Sequence, residues 1–150
     1  MLLWQKIFIG FYGILALTGF VKGYIQCKKK NNVFGLANIY NLIGAFVWGD
    51  AIVFGLFWAL VCLSVLILND WILFLLFVSV FWLIRSFGET TYWFNQQFSN
   101  LKRNPPENFW FFKIFKNDSV WFINQIFYQC IAVVTVITTI YLTKIWLDAI

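Results

Sequence analysis

The chain has 150 residues, of which 62% are hydrophobic and 11% are charged, and its formal net charge is +5. Soluble globular domains carry roughly 25% charged residues, so a domain of this size could not cover so many apolar side chains in water. The composition excludes a soluble globular protein and predicts one integral membrane domain over residues 1–150.

Four apolar stretches are long enough to cross a bilayer, which takes about 20 mostly apolar residues. They lie at 2–21, 51–68, 71–91 and 126–146. Hydrocarbon contains no water to satisfy exposed backbone groups, so each stretch should be an α-helix. The predicted fold is therefore all-α, an antiparallel bundle of four transmembrane helices.

We expect the first stretch to remain as a membrane span. Its apolar run of about 20 residues exceeds the 7–15 of a signal-peptide core, and no small-x-small cleavage site follows it. Small residues recur along this stretch and would let a neighbouring backbone approach closely. They are Gly10, Gly13, Ala16, Gly19 and Gly23.

The second and third stretches are separated only by Asn69 and Asp70, which predicts a helical hairpin. No proline lies between residues 33 and 68 or between 71 and 103. Both helices are therefore expected to continue past the bilayer into the cytoplasm. At 1.5 Å per residue a helix over 71–103 would be about 50 Å long, against ~30 Å of hydrocarbon.

Basic residues are concentrated in the connection between the first two stretches (loop 1), in the connection between the last two (loop 3), and close beside them. These positions are Lys22, Lys28, Lys29, Lys30, Lys102, Arg103, Lys113 and Lys116, whereas the opposite side holds only Lys6 and Lys144. Lysine and arginine near span ends favour the cytoplasmic side. We therefore expect loops 1 and 3 to be cytoplasmic, or on the equivalent inner face of an organelle, and both termini to be non-cytoplasmic. The positive charge is explained in this way and gives no reason to expect nucleic acid as a partner.

The polar side chains of the last three spans are expected in the cytoplasmic half of the bundle. Arg85 would lie about 21 Å from the outer boundary, at 1.5 Å per residue, with Glu89 one turn further in. Asp50 of the second helix would lie at nearly the same level as Arg85. At 100° per residue, Arg85, Glu89, Tyr92 and Gln96 fall on one stripe of the third helix.

A second polar stripe climbs the fourth helix and comprises Trp121, Gln125, Tyr128, Thr135, Thr139 and Thr143. A charge that faces lipid costs about 2.5–3.5 kcal/mol, so both stripes should face the bundle interior or water. Together they predict a polar cup that is open to the cytoplasm. Its candidate ligand- or ion-binding residues are Asp50, Arg85, Glu89, Tyr92, Gln96, Asn124, Gln125, Tyr128, Gln129 and Asn41.

Simpler interpretations of the same residues remain open. Arg85 and Glu89, four residues apart, fit an isolated intrahelical ion pair whose arginine reaches toward headgroups. Asp50 fits a helix cap near the interface if the second helix breaks at Gly49. The threonines of the fourth helix fit packing between helices as well as a conduit.

Several kinds of chemistry find no support in the sequence. The chain has no histidine, which excludes histidine metal ligation and histidine-based catalysis. It contains no phosphate-binding GxxxxGK[ST] or GxGxxG motif. Its cysteines Cys27, Cys62 and Cys130 have no C-x-x-C spacing, although Cys27 beside three lysines fits an acylation site. We predict no metal, no cofactor and no catalytic residue.

Three functions remain compatible with the sequence. The first is binding, or helping to translocate, a small polar or ionic solute or a lipid headgroup. The second is a non-catalytic accessory subunit of a larger membrane complex. The third is a small lipid-modifying enzyme, with Asp50 and Glu89 as acid and base and Arg85 holding an anionic group. The expected partners are the lipid bilayer and either further copies of this chain or a larger membrane complex.

Overall fold

The computed structural model describes residues 1–100, 105–117 and 119–149. Four α-helices dominate it: α1 (Leu3–Lys30), α2 (Trp48–Leu68), α3 (Trp71–Phe98) and α4 (Ser119–Asp148). Each is long and apolar enough to cross a membrane. The described residues contain no β-strand beyond one isolated bridge. An all-α protein with four helices of transmembrane length is therefore confirmed.

The helices are longer than the apolar stretches that predicted them. α1 continues nine residues past position 21 to Lys30, and α4 begins seven residues before position 126 at Ser119. Polar residues at these ends continue the helix because the backbone needs no apolar surroundings to keep its hydrogen bonds. α3 ends at Phe98, short of the expected 103, and residues 101–104 lie outside the described residues.

The second helix is shorter than expected, and the prediction of one helix from residue 33 to 68 is wrong for residues 33–47. α2 begins at Trp48. Asn31 has a left-handed backbone (φ 49°) that ends α1, and Gly44 has φ 76°, which glycine adopts without steric cost. These residues interrupt the helical conformation even though the connection contains no proline.

The connection between α1 and α2 instead forms a narrow hairpin of backbone hydrogen bonds. The amides of Gly49, Trp48 and Ala37 donate to the carbonyls of Val33, Gly35 and Phe46 at 2.9, 3.1 and 2.9 Å, respectively. A 3₁₀ helix at Asn38–Ile43 forms the tip of this hairpin. We call residues 31–47 the connecting hairpin.

Residues Met1–Phe77 form one compact unit, in which α1 and α2 pack through small residues. A Cβ atom added at Gly55 of α2 would lie 2.7 Å from the Ala16 carbonyl oxygen. A Cβ atom added at Gly13 of α1 would lie 3.2 Å from Cβ of Cys62, and one added at Gly23 would lie 2.9 Å from the Trp48 carbonyl oxygen. The small residues of the first span therefore do allow close approach of neighbouring chain segments, except Gly10, where the added atom meets open space.

An aromatic cluster fills the same unit where α3 begins. The rings of Tyr12, Trp58 and Phe74 meet with centroids 5.2 to 6.4 Å apart. Asp70 accepts a hydrogen bond from the Leu73 amide at 3.0 Å, which caps the first turn of α3. α2 and α3 are thus joined by the two residues that the sequence indicates.

Residues Val78–Ile150 form the second compact unit, described here up to residue 149. It contains the rest of α3, two short 3₁₀ helices at Pro106–Asn108 and Trp110–Lys113, and α4. Its buried apolar side chains are Trp93, Val120, Trp121, Ala132 and Leu142. This is a small apolar core for two long helices, and several polar side chains of the unit are buried as well.

We expect Gly55→Ala to destabilise the protein by about 1–3 kcal/mol, since the new methyl group would press on backbone atoms that cannot move independently. Gly10→Ala is the matched control and should leave the stability nearly unchanged. Unfolding by SDS titration in mixed micelles, followed by tryptophan fluorescence, measures both. Equal stabilities for the two variants would contradict the close approach of α1 and α2.

Candidate functional site

An ion pair between Arg85 and Glu89 lies at the centre of the second unit. The spacing of four residues places both side chains on one face of α3, and Nη2 of Arg85 lies 2.8 Å from Oε1 of Glu89. The two side chains are only 16% and 10% exposed. Charges withdrawn from solvent to this degree interact strongly.

The second carboxylate oxygen of Glu89 is also occupied. The indole Nε1 of Trp93 donates a hydrogen bond to Oε2 of Glu89 at 3.1 Å, again over a spacing of four residues. Trp93 is not among the predicted site residues, although its position four residues after Glu89 on the same helix indicates that the two side chains can meet. Tyr92, which was included, is exposed.

Residues of α4 extend this polar surface. Nε2 of Gln97 donates to Oε1 of Gln125 at 2.7 Å and so joins α3 to α4. The phenol of Tyr128 interacts electrostatically with the side chains of both Glu89 and Arg85. Among the predicted residues, the structure thus brings together Arg85, Glu89 and Tyr128, and it places Gln125 against Gln97, a partner that the sequence analysis missed.

The remaining predicted residues of α3 and α4 differ in their exposure. Gln96 and Asn124 are buried, and Nδ2 of Asn124 donates to the Val120 carbonyl of its own helix at 2.9 Å. Gln129 is exposed on α4. Gln96 and Asn124 therefore lie in the interior of the unit, whereas Gln129 lies on its surface.

A second polar link between α3 and α4 involves the threonine stripe. The hydroxyl of Ser79 donates to the Thr135 carbonyl at 3.2 Å and lies 2.8 Å from the Thr139 hydroxyl. The Thr135 hydroxyl donates to the Ile131 carbonyl at 2.8 Å. These bonds fit the packing interpretation of the stripe, since the hydroxyls are engaged between and within the helices.

Buried polar side chains are confined to one part of the described chain. Those that the structure buries are Ser79, Ser86, Glu89, Gln96 and Asn124, and all belong to the second unit. The buried residues of the first unit are apolar or aromatic, apart from glycines. We call the set of Arg85, Glu89, Trp93, Gln97, Gln125 and Tyr128 the polar cluster.

Asp50 and Asn41 belong to the first unit. Oδ2 of Asp50 accepts a hydrogen bond from the Phe46 amide at 3.3 Å in the first turn of α2, where a carboxylate also interacts favourably with the helix dipole. This contact fits the interpretation of Asp50 as a residue that stabilises the helix start. Asn41 is an exposed residue of the 3₁₀ helix at Asn38–Ile43. That Asp50 shares Arg85 with Glu89 stays a prediction.

The described residues contain no group of three or more Cys, Asp or Glu side chains placed to hold a metal ion. What the polar cluster offers is one guanidinium, one carboxylate, an indole, two amides and a phenol. Such groups bind polar or ionic molecules through hydrogen bonds and charge. No protein-family model, curated protein or solved structure matches this chain.

We expect Glu89→Gln to destabilise the protein by about 3 kcal/mol, because it removes the carboxylate that lies 2.8 Å from the mostly buried Arg85 guanidinium. The double variant Arg85→Gln/Glu89→Gln removes both charges and should recover most of that loss. SDS titration in mixed micelles gives the free energies, with the exposed Glu107→Gln as a control for loss of a carboxylate. Equal stability of the single and double variants would show that the two charges are not coupled.

Proposed function

We propose that this protein binds a small polar or ionic solute, or a lipid headgroup, at the polar cluster from the cytoplasmic side and helps to translocate it. The ion pair between Arg85 and Glu89 within a helix of transmembrane length is the observation that carries this proposal. Ionisable residues in transmembrane segments are rare because they are costly, and they commonly mark the path of a substrate or ion.

The chemical class of the ligand follows from the charge of the cluster. Arg85 and Glu89 form an ion pair, so a ligand with a single charge can pair with only one of them. A ligand that carries both an anionic and a cationic group can exchange partners with the pair and keep both charges compensated. A zwitterion, either a free solute or a lipid headgroup, therefore fits best.

The proposal includes an antiparallel bundle with an extension of α3 into the cytoplasm. Ser79 contacts Thr135 and Thr139, whereas Gln97 contacts Gln125. Residues later in α3 thus contact residues earlier in α4, as in an antiparallel pair of helices. The 28 residues of α3 span about 42 Å, more than the ~30 Å of hydrocarbon. We infer that the excess lies at the polar end of α3, on the side of loops 1 and 3.

Native mass spectrometry tests the ligand class. In nanodiscs of equal parts phosphatidylethanolamine and phosphatidylglycerol, we expect the wild-type protein to retain the zwitterionic phosphatidylethanolamine preferentially. The Arg85→Gln/Glu89→Gln variant, which removes both charges of the ion pair together, should lose this preference. The exposed Lys144→Gln variant should keep it. Soluble phosphoethanolamine, added to lipid-depleted protein in detergent, should raise the unfolding temperature of the wild type and not of the double variant.

The two measurements separate the two sources of the ligand. Retention of the lipid indicates a headgroup site, and a thermal shift with phosphoethanolamine alone indicates a site for a free solute. Equal retention of both lipids, together with no thermal shift, would contradict the proposed binding function.

The sidedness of the proposal rests on the basic residues of loops 1 and 3. We expect a cysteine at Lys29 or Lys116 to be protected from a membrane-impermeant thiol reagent in intact cells and to react once the cells are opened. A cysteine at Lys144 should react in intact cells. The reverse pattern would place the termini on the cytoplasmic side.

A second candidate function, an accessory subunit of a larger complex, is favoured by the surface of α4. Only 6% of the residues in its most apolar segment are buried. This helix also exposes the amide of Gln129. An amide on an otherwise apolar transmembrane surface promotes association with another helix. If this function is the right one, Gln129→Leu should dissociate a complex that blue native electrophoresis detects, while the lipid preference of the wild type stays unchanged.

A further inference from the structure

The connecting hairpin turns back along α1 and α2 instead of leaving them. A Cβ atom added at Gly19 of α1 would lie 3.0 Å from the ring of Tyr40, so the hairpin tip packs on the middle of this helix. The Tyr12 hydroxyl of α1 donates to the Leu42 carbonyl at 3.0 Å, and Nε1 of Trp58 donates to the Ile43 carbonyl at 3.2 Å. The tip is therefore fixed to both helices at a common level.

Two independent counts along the helices give the depth of that level. Lys22 and Trp48 lie near one level, because Gly23 approaches the Trp48 carbonyl oxygen closely. Tyr12 is ten residues from Lys22 along α1, and Trp58 is ten residues from Trp48 along α2. Each count corresponds to about 15 Å of helix. With the basic Lys22 and the aromatic Trp48 placed at the inner boundary of the bilayer, this distance is half of the ~30 Å of hydrocarbon.

The backbone at the tip is satisfied in the way that hydrocarbon requires. The carbonyls of Leu42 and Ile43 accept the bonds from Tyr12 and Trp58, and the amides of Gly44 and Ala45 donate to the Asn41 and Tyr40 carbonyls at 2.9 and 3.1 Å. Non-helical backbone is tolerated at membrane depth only where protein or water satisfies its polar groups. Tyr12 and Trp58 are the side chains that meet this condition here.

The 3₁₀ helix at Asn38–Ile43 divides into three stripes, since three residues make one turn and positions i and i+3 eclipse. Tyr40 and Ile43 form the stripe that is buried against α1 and α2. Ile39 and Leu42 form a second stripe and are 75% and 58% exposed. Asn38 and Asn41 form the third stripe, which is exposed and polar.

We propose that residues 31–47 are a re-entrant segment, which dips to about the middle of the bilayer and contacts acyl chains through Ile39 and Leu42. At this depth hydrocarbon surrounds α1 and α2, and one of the two exposed stripes, Ile39 and Leu42, is apolar. Leu17 and Val21 of α1 are exposed apolar side chains as well. The stripe of Asn38 and Asn41 faces away from the acyl chains, because an amide without a partner in hydrocarbon is costly.

Fluorescence quenching in lipid vesicles tests the proposal. Single cysteines at Ile39, Leu42, Asn41 and Lys29 are labelled with bimane in a background with Cys27→Ser and Cys130→Ser, and the buried Cys62 is left in place. All four positions are exposed, so labelling should not disturb the fold. Phospholipids brominated near the middle of their acyl chains should quench the labels at Ile39 and Leu42 more than those at Asn41 and Lys29. Iodide in the aqueous phase should quench the label at Lys29 and not the label at Ile39.

The result that would overturn the proposal is equally direct. If the labels at Ile39 and Leu42 respond to iodide as the Lys29 label does, and not to the brominated lipids, the hairpin lies in the aqueous phase. If the label at Asn41 is quenched by the brominated lipids as strongly as that at Ile39, the acyl-chain contact is not specific to the Ile39 and Leu42 stripe, which contradicts the proposed orientation of the hairpin. Neither measurement depends on the polar cluster or on its ligand.

Discussion

A polar group in hydrocarbon must find a polar partner within the protein, and this constraint governs both units of the structure. In the four long helices the backbone satisfies itself. Where the helical backbone is interrupted, in the connecting hairpin, Tyr12 and Trp58 supply the missing donors. Where polar side chains are buried, as with Glu89, a guanidinium and an indole supply the partners. The same rule thus explains the aromatic residues of one unit and the charged residues of the other.

The two units satisfy this constraint through different kinds of interaction between their helices. Residues Met1–Phe77 bring α1 and α2 together through Gly23 and Gly55, which meet backbone atoms, and Gly13, which meets the Cys62 side chain. Dispersion forces there replace hydrogen bonds between side chains. In residues Val78–Ile150, α3 and α4 are joined by the hydrogen bonds of Ser79 with Thr135 and Thr139 and of Gln97 with Gln125. Close packing is rigid, whereas hydrogen-bonded side chains can exchange partners. The side chains that could exchange partners therefore lie in the second unit, where we propose that the ligand binds.

Much of the fold could be predicted from composition and hydropathy, because the requirement for helices in hydrocarbon leaves few alternatives. The α2–α3 boundary at Asn69 and Asp70 was predicted for the same reason. The connecting hairpin was not, since apolar residues at 36, 39, 40, 42 and 43 fit an amphipathic α-helix as well as a 3₁₀ helix with an exposed and a buried stripe. Only the contacts of the tip with Tyr12, Gly19 and Trp58 distinguish the two conformations, and these contacts join residues far apart in the sequence.

The candidate site shows a similar division between local and distant information. The pairing of Arg85 with Glu89 follows from helical spacing alone, and Trp93 could have been added by the same count. The bond between Gln97 and Gln125 could not be predicted, because it depends on how far α3 and α4 are shifted along each other. The local pair also limits the function that can be built on it. An ion pair between neighbours on one helix forms without any ligand, so a ligand gains only the difference between its own contacts and those it replaces. We therefore expect the proposed site to bind weakly and release readily, which suits a step in translocation better than permanent retention.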